Sequence, residues 1–220
     1  MAKVIIFGLK DTASLAHFYL NHDSEHKVVA FSVTQEYLPP EKEFESLPVV
    51  PFESVEKVYS PSEFCFFAPM THRKMGRLRQ SIYDQIKKKG YRLISYVSSK
   101  ATTFPGLKIG DNCFILEDNT IQPLTSIGNN VVLWSGNHIG HHSVIKDHVF
   151  FTSHVVLSGH CTVEPYSFFG VNSTVRDGVR IAEGSLIAMS ACVTKDTEPW
   201  GVYKGVPAIR GERSSKEMDS

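Results

Sequence analysis

Residues 127–163, IGNNVVLWSGNHIGHHSVIKDHVFFTSHVVLSGHCTV, place a bulky apolar side chain at every sixth position, and the rule extends outward without a miss from Ile109 to Val193. The series is Ile109, Ile115, Ile121, Ile127, Leu133, Ile139, Ile145, Phe151, Leu157, Val163, Phe169, Val175, Ile181, Ile187 and Val193. Two residues before each stands a mostly small residue, from Asn119 and Thr125 to Ala191. A helix repeats every 3.6 residues and a strand every two, so a strict six belongs to neither. It is the mark of a solenoid in which each hexapeptide is one short strand and one corner. If three hexapeptides complete a turn, residues 18 apart stack at about 4.8 Å. The pattern then predicts about five coils, a prism on the order of 24 Å long.

Outside the repeat the rhythm changes. Lys3 to Gly8 and Lys27 to Val33 read as strands buried on both faces of a parallel sheet, and Leu47 to Pro51, Phe64 to Ala68 and Arg92 to Val97 continue the series. Asp11 is placed to cap a helix burying Leu15, Phe18 and Tyr19, and Thr71 to cap one burying Met75, Leu78, Ile82 and Ile86 before Gly90. Strands alternating with helices predict a small α/β domain. The expected organisation is an α/β domain over residues 1–104, a β-helix over 105–210 and a frayed polar tail over 211–220.

Composition narrows the classes of function. The chain of 220 residues has a formal net charge of zero, which points away from nucleic acid and from anionic membranes. No leader pattern opens it and no apolar run approaches the ~18 residues of a membrane span. The four cysteines lack CxxC spacing, so a reduced, cytoplasmic protein is expected. Gly8-Leu9-Lys10-Asp11-Thr12-Ala13 is not a GxGxxG turn, which argues against hydride chemistry, although its backbone N–H groups suit a phosphate. His72, Arg73, Lys74, Arg77 and Arg79 cluster where the second helix is expected to open, and they suggest either an anion there or a solvated face.

The ten histidines sort by position in the repeat. His142, His148, His154 and His160 fall three residues after ladder positions, in a row shared with Asn112, Asp118, Asn130, Gly136, Asn172, Gly178 and Gly184. These residue types tolerate left-handed backbone, so the row reads as corner chemistry. Only His142 and His160, 18 apart, should stack, and no resident metal is expected. His141 is the only histidine of its own column, and Gly159 should lie directly above it. An imidazole beside a backbone N–H can take a proton and stabilise an oxyanion, as acyl transfer requires. A turn histidine facing solvent accounts for the same residue, and spacing does not choose between the two.

The segment from Asn137 to Asn172, the closing YKGVPA of residues 203–208 and the α/β leader resemble the nucleotide-aminosugar N-acetyltransferases of the left-handed β-helix superfamily. That group includes the bacillosamine-pathway and perosamine N-acetyltransferases and, more distantly, sialic acid O-acetyltransferases. The resemblance implies a homotrimer with active sites between subunits, acetyl-CoA as co-substrate, and a nucleotide-linked sugar held against the N-terminal domain. It implies His141 as catalytic base, Gly159 as oxyanion donor and CoA contact, and Gly205, Val206, Pro207 and Ala208 as a loop holding the CoA. Substrate contacts are expected from Gly8, Thr12, Arg73, Trp134 and His138. The expected reaction is N-acetylation of a nucleotide-linked 4-amino-4,6-dideoxyhexose for surface polysaccharide such as O-antigen. The alternatives are O-acetylation of a sialic acid or similar hydroxyl, a carbonic anhydrase-like metal-dependent solenoid, and a sugar-nucleotide-binding scaffold. The chain departs from the bacillosamine-type pattern in one place that bears on mechanism: the residue after His141 is His142, not a glutamate.

Overall fold

The computed structural model describes residues 1–218. It divides into two compact units, Met1–Thr71 with Ser81–Tyr96, and His72–Gln80 with the chain from Val97 onward. The first is built on six strands in the order Glu43–Phe44, Leu47–Pro51, Lys27–Val33, Lys3–Phe7, Phe64–Phe67 and Arg92–Leu93. All neighbours run parallel except the Glu43–Phe44 edge strand. Ile5, Phe66, Phe52 and Val55 meet Ile82, Tyr83 and Ile86 in its core.

Both helices differ in detail from the sequence reading. Asp11–His22 takes Lys10 as its N-cap and buries Ala13, Ala16 and Leu20, leaving Phe18 exposed. The inward face is thus two alanines and one leucine, set one position off the Leu15, Phe18 and Tyr19 stripe. The second helix runs Arg77–Lys88 and does not begin at Thr71, because Lys74, Met75 and Gly76 are all left-handed (φ 52°, 51° and 73°) and a right-handed helix cannot pass through them. Leu78 faces out and Arg79 faces in.

In the second unit the six-residue rule is realised as fifteen two-residue strands from Lys108–Ile109 to Cys192–Val193, distributed over three parallel sheets. Register is 18 throughout, as in Thr120↔His138 and Ile127↔Ile145. One internal ladder is Ile109, Ile127, Ile145, Val163 and Ile181, and the other two faces contribute theirs in the same way. Phe151 and Phe169 stack at 4.2 Å and 9°, which makes the second ladder's centre aromatic. The small row turns inward too. Asn119 and Asn137 join coils through Asn137 Nδ2 to Asn119 Oδ1 (3.0 Å), and the Val155 N–H donates to Asn137 Oδ1 (2.8 Å). Cys113 and Cys161 are fully buried there.

The corner row is left-handed at Asn112, Asp118, Asn130, Gly136, His142, His148, His154, His160, Asn172, Gly178 and Gly184, and also at the larger Leu124 and Tyr166. Beyond the coils Gly201–Lys204 pairs with Leu186–Ile187, the chain reverses, and Ile209–Ser214 returns antiparallel. A capping box at Ser214 and Glu217 closes a short 3₁₀ turn, and the buried Ser215 hydroxyl donates to the Gly184 carbonyl. The tail expected to fray from 211 therefore continues the Ile209–Ser214 strand and then the Ser215–Glu217 turn. Its polarity reflects an edge strand with exposed side chains, not a lack of structure.

Candidate active site

His141 sits at the corner that ends the His138–Ile139 strand. The strand reaches it through Gly140, where a β-carbon would stand 2.5 Å from the Gly159 nitrogen, so the coils approach too closely here for any side chain. The His141 N–H donates to Gln122 Oε1 (2.9 Å), which fixes the backbone. His142 follows in left-handed conformation (φ 58°), and its imidazole returns to the same spot, Nδ1 to Nδ1 with His141 at 3.0 Å. Between two such nitrogens one ring donates and the other accepts.

Gly159 lies one coil along, where 18-residue stacking places it. A β-carbon on it would stand 2.8 Å from His141 Cε1 and 3.0 Å from Nε2, so the imidazole edge rests on the glycine backbone. Only glycine leaves room for that contact. Gly159 is buried beneath the ring, and among the described residues no acceptor meets its N–H. Asp177, the next member of the column, brings Oδ1 to 3.0 Å from the same β-carbon position. A proton acceptor, a backbone donor and a carboxylate thus converge on one corner.

Gln122 and Asp177 were not among the residues singled out from sequence. The stacking rule that paired His141 with Gly159 reaches Asp177 by one more step. Gln122 sits in an ordinary outward position and carries no comparable signal.

The remaining predicted residues are spread. His138 is half-buried on the face that ends at His141, and Trp134 is half-buried on the preceding face, around the corner. The Gly205–Ala208 loop closes the far end of the His138 face: the Cys192 N–H donates to Gly205 O (3.0 Å) and the Ala208 N–H to Cys192 O (2.7 Å). Val206 is exposed. Strand pairing runs His138, Val156, Thr174, Cys192, and the loop is bonded to Cys192, so it stands four rungs from His138, on the order of 19 Å. Gly8 (φ 113°) and Thr12 form the first strand-to-helix turn of the N-terminal unit, and the Gly8 N–H already donates to Ser32 O (2.9 Å).

The basic cluster does not act as one anion site. His72 is buried against the rings of Phe150 and Phe168, and burial, reinforced by the Arg79 charge, pushes its pKa down to about 3. Arg79 is fully buried and donates from Nη2 to the carbonyls of His148 (2.9 Å) and Val149 (3.3 Å), with Phe150 against its guanidinium. Burial brings it down to about 9, which leaves it charged at neutral pH. Arg77 lies over Trp200 at 4.8 Å and over Tyr166 at 5.6 Å. These contacts account for three of the five basic residues by packing, and Arg73 and Lys74 stay exposed.

Cys161 lies next to this corner but points into the core, its thiol donating toward the carbonyls of Gly159 (3.6 Å) and Arg176 (3.3 Å). Cys161 is buried and its thiol is raised by that burial, which disfavours the thiolate an acyl-cysteine would need.

No family model matches the chain. Curated relatives include the acyl-[acyl-carrier-protein]–UDP-N-acetylglucosamine O-acyltransferases of Sinorhizobium fredii, 29% identical over 110 residues, and of Helicobacter pylori, 34% identical over 113 residues. These alignments take in 47% and 48% of this chain and 41% and 42% of the relatives, so the chain spans about two fifths of their length. Solved structures match nearly end to end. A perosamine N-acetyltransferase from Caulobacter crescentus, solved with CoA and GDP-perosamine, superposes with a TM-score of 0.86 at 19% identity, covering 97% of this chain and 98% of that one. The acetyltransferase domain of PglB from Neisseria gonorrhoeae gives 0.82 at 16% identity, covering 96% and 100%. WeeI from Acinetobacter baumannii gives 0.76 at 15%, covering 96% and 100%. At such identities the likeness speaks for the fold alone, and in fold this chain is similar to these three proteins along nearly its whole length.

Proposed function

We propose that the protein transfers acetyl from acetyl-CoA to the amine of a nucleotide-linked 4-amino-4,6-dideoxyhexose. The observation that carries this reading is the His141 imidazole resting on the Gly159 backbone, a base and an unused donor within one reacting-atom's reach of each other. His142 supplies what its neighbour needs. With the Nδ1–H of His141 donated to His142 Nδ1, the lone pair of His141 lies on Nε2, on the Gly159 side.

The amine nitrogen attacks the thioester carbonyl while Nε2 removes its proton, and the new C–N bond leaves negative charge on the carbonyl oxygen. The Gly159 N–H is the donor for that oxyanion. Collapse of the intermediate breaks the C–S bond, and CoA departs as thiol with the proton that the imidazolium holds. Asp177 Oδ1 lies beside the same glycine, 3.0 Å from its β-carbon position. A CoA arm laid along the His138 face from the Gly205–Ala208 loop would span the four rungs to the His138 strand that ends at this corner. Trp134 and His138 on that side, and Gly8, Thr12 and Arg73 elsewhere, are assigned to the sugar nucleotide.

The fold relatives support the donor and the acceptor class, since one was solved with CoA and GDP-perosamine and another with acetyl coenzyme A. A homotrimer with sites between neighbouring copies belongs to the same reading. All four cysteines are free, which supports a reduced, cytoplasmic setting. A role in surface polysaccharide synthesis belongs to the same reading. No helix among the described residues is long and apolar enough to cross a membrane. The curated relatives act on oxygen and favour a second reading, acetylation of a sugar hydroxyl.

The experiment is thiol release from acetyl-CoA against GDP-, dTDP- and UDP-linked 4-amino sugars, with non-aminated sugars as blanks. Release with an amino sugar alone and a product stable to mild alkali is the expected result. An alkali-labile product would establish the ester reading instead.

A further inference from the structure

We propose that His141, His142 and His160 bind one divalent transition cation of the zinc type, and that its binding switches acetyl transfer off. The second half rests on the reading of His141 as the base.

Three imidazoles from two adjacent columns meet at one corner, so a single chain gathers them, which the row of corner histidines considered alone does not allow. Their ligand nitrogens all lie within 4.8 Å of one another, and all three side chains are exposed. His142 and His160 stack at 4.7 Å and 14°, as their 18-residue separation dictates. The His141 ring stands across both, at 90° and 85°. The Nδ1 atoms of His141 and His142, at 3.0 Å, are already separated by nearly the edge of a tetrahedron with Zn–N bonds of about 2.0–2.1 Å. His160 closes the remaining gap by side-chain rotation, because its backbone is held by the His160 N–H donating to His141 O (2.8 Å).

Donor chemistry selects the cation. Imidazole nitrogen suits Zn²⁺, Ni²⁺ and Cu²⁺, whereas Mg²⁺ and Ca²⁺ seek oxygen. Exposure lets a hydrated ion enter, and three protein ligands leave one position for water.

Coordination and catalysis exclude each other. A neutral imidazole has one lone-pair nitrogen, so a metal on His141 Nδ1 moves the ring proton to Nε2. The atom facing Gly159 then has no lone pair with which to take the amine proton. The cation thus acts as a brake on the base and supplies no chemistry to the reaction.

The test is calorimetric titration of chelator-treated full-length protein with ZnCl₂, run beside acetyl transfer over the same zinc range. One Zn²⁺ per chain is expected, with transfer falling at the concentrations that saturate binding and recovering with EDTA, and Mg²⁺ without effect. His160→Asn, which keeps a residue suited to the left-handed corner, should keep transfer and weaken zinc by more than the roughly 10–100-fold typical of losing an outer-sphere partner. No binding by the wild type, or equal binding by H160N, overturns the site. Stoichiometric binding that H160N abolishes but that leaves transfer untouched keeps the site and removes His141 from the role of base.

Discussion

The Nδ1 atoms of His141 and His142 lie 3.0 Å apart, and this contact occupies the place where bacillosamine-type enzymes are expected to carry a histidine and a glutamate. A carboxylate holds a histidine tautomer by accepting its Nδ1–H, and a neutral imidazole accepts the same proton with its own lone pair. The substitution preserves orientation but brings no negative charge. A carboxylate, that of Asp177, lies beside Gly159.

Removing that acceptor is expected to slow the chemical step without weakening substrate binding. His142→Ala should lower kcat by roughly 10–100-fold, the usual scale for a partner that orients an active group, with KM nearly constant. His142→Asn, which can still accept a hydrogen bond and tolerates the positive φ, should recover much of the loss. Steady-state kinetics of the pair check this, and equal kcat in H142A and wild type would contradict it.

Gly159→Ala tests the close approach. The new methyl would meet His141 Cε1 at 2.8 Å and Asp177 Oδ1 at 3.0 Å, so the imidazole must swing off the donor. Loss of kcat by about 10²–10³-fold is expected, as for removal of an oxyanion donor, while the thermal midpoint changes little because the ring yields and not the coil. A variant with wild-type turnover would show that ring and glycine need not touch.

Stability should fall in mild acid through His72. Its folded pKa is depressed to about 3, so below about 6.5 the unfolded chain takes a proton that the folded chain refuses. The unfolded state then binds more protons, and stability drops as pH falls from about 6.5 toward 3, by up to about 1.4 kcal/mol per pH unit. His17 and His26, also lowered by burial, add to the same trend. His72→Phe keeps an aromatic ring beside Phe150 and Phe168, and guanidinium midpoints at pH 7.5 and 4.5 should differ less in this variant than in the wild type.

The internal ladder predicts a large cost for a single truncation at its centre. Phe169→Ala removes a fully buried ring stacked on Phe151, and a loss of about 3–5 kcal/mol is expected from denaturant unfolding. A loss below about 1 kcal/mol would mean that the coils collapse onto the cavity.

The solenoid was legible because one residue in six has no freedom. Ile139 or Leu157 must point to the axis, and the 18-residue register follows from closing a three-sided turn. The same register pairs His141 with Gly159 from the sequence alone. What it did not convey was side-chain direction at the corners. His142 belongs to the left-handed row and reads as turn chemistry, yet its ring folds back on His141. Arg79 reads as a surface cation, and its burial against two carbonyls depends on contacts 69 and 70 residues away that no local pattern encodes. The Ile209–Ser214 strand was hidden for a different reason. An edge strand with polar side chains has no apolar alternation to read.

The most direct test of the central claim is acetyl transfer by His141→Asn beside the wild type, on the amino sugar that gives thiol release, with CoA binding measured in both. A fall in kcat of a hundredfold or more with unchanged CoA affinity is the predicted result. Turnover within a few fold of wild type, from a variant that is folded and binds CoA, would contradict the assignment of His141 as the base.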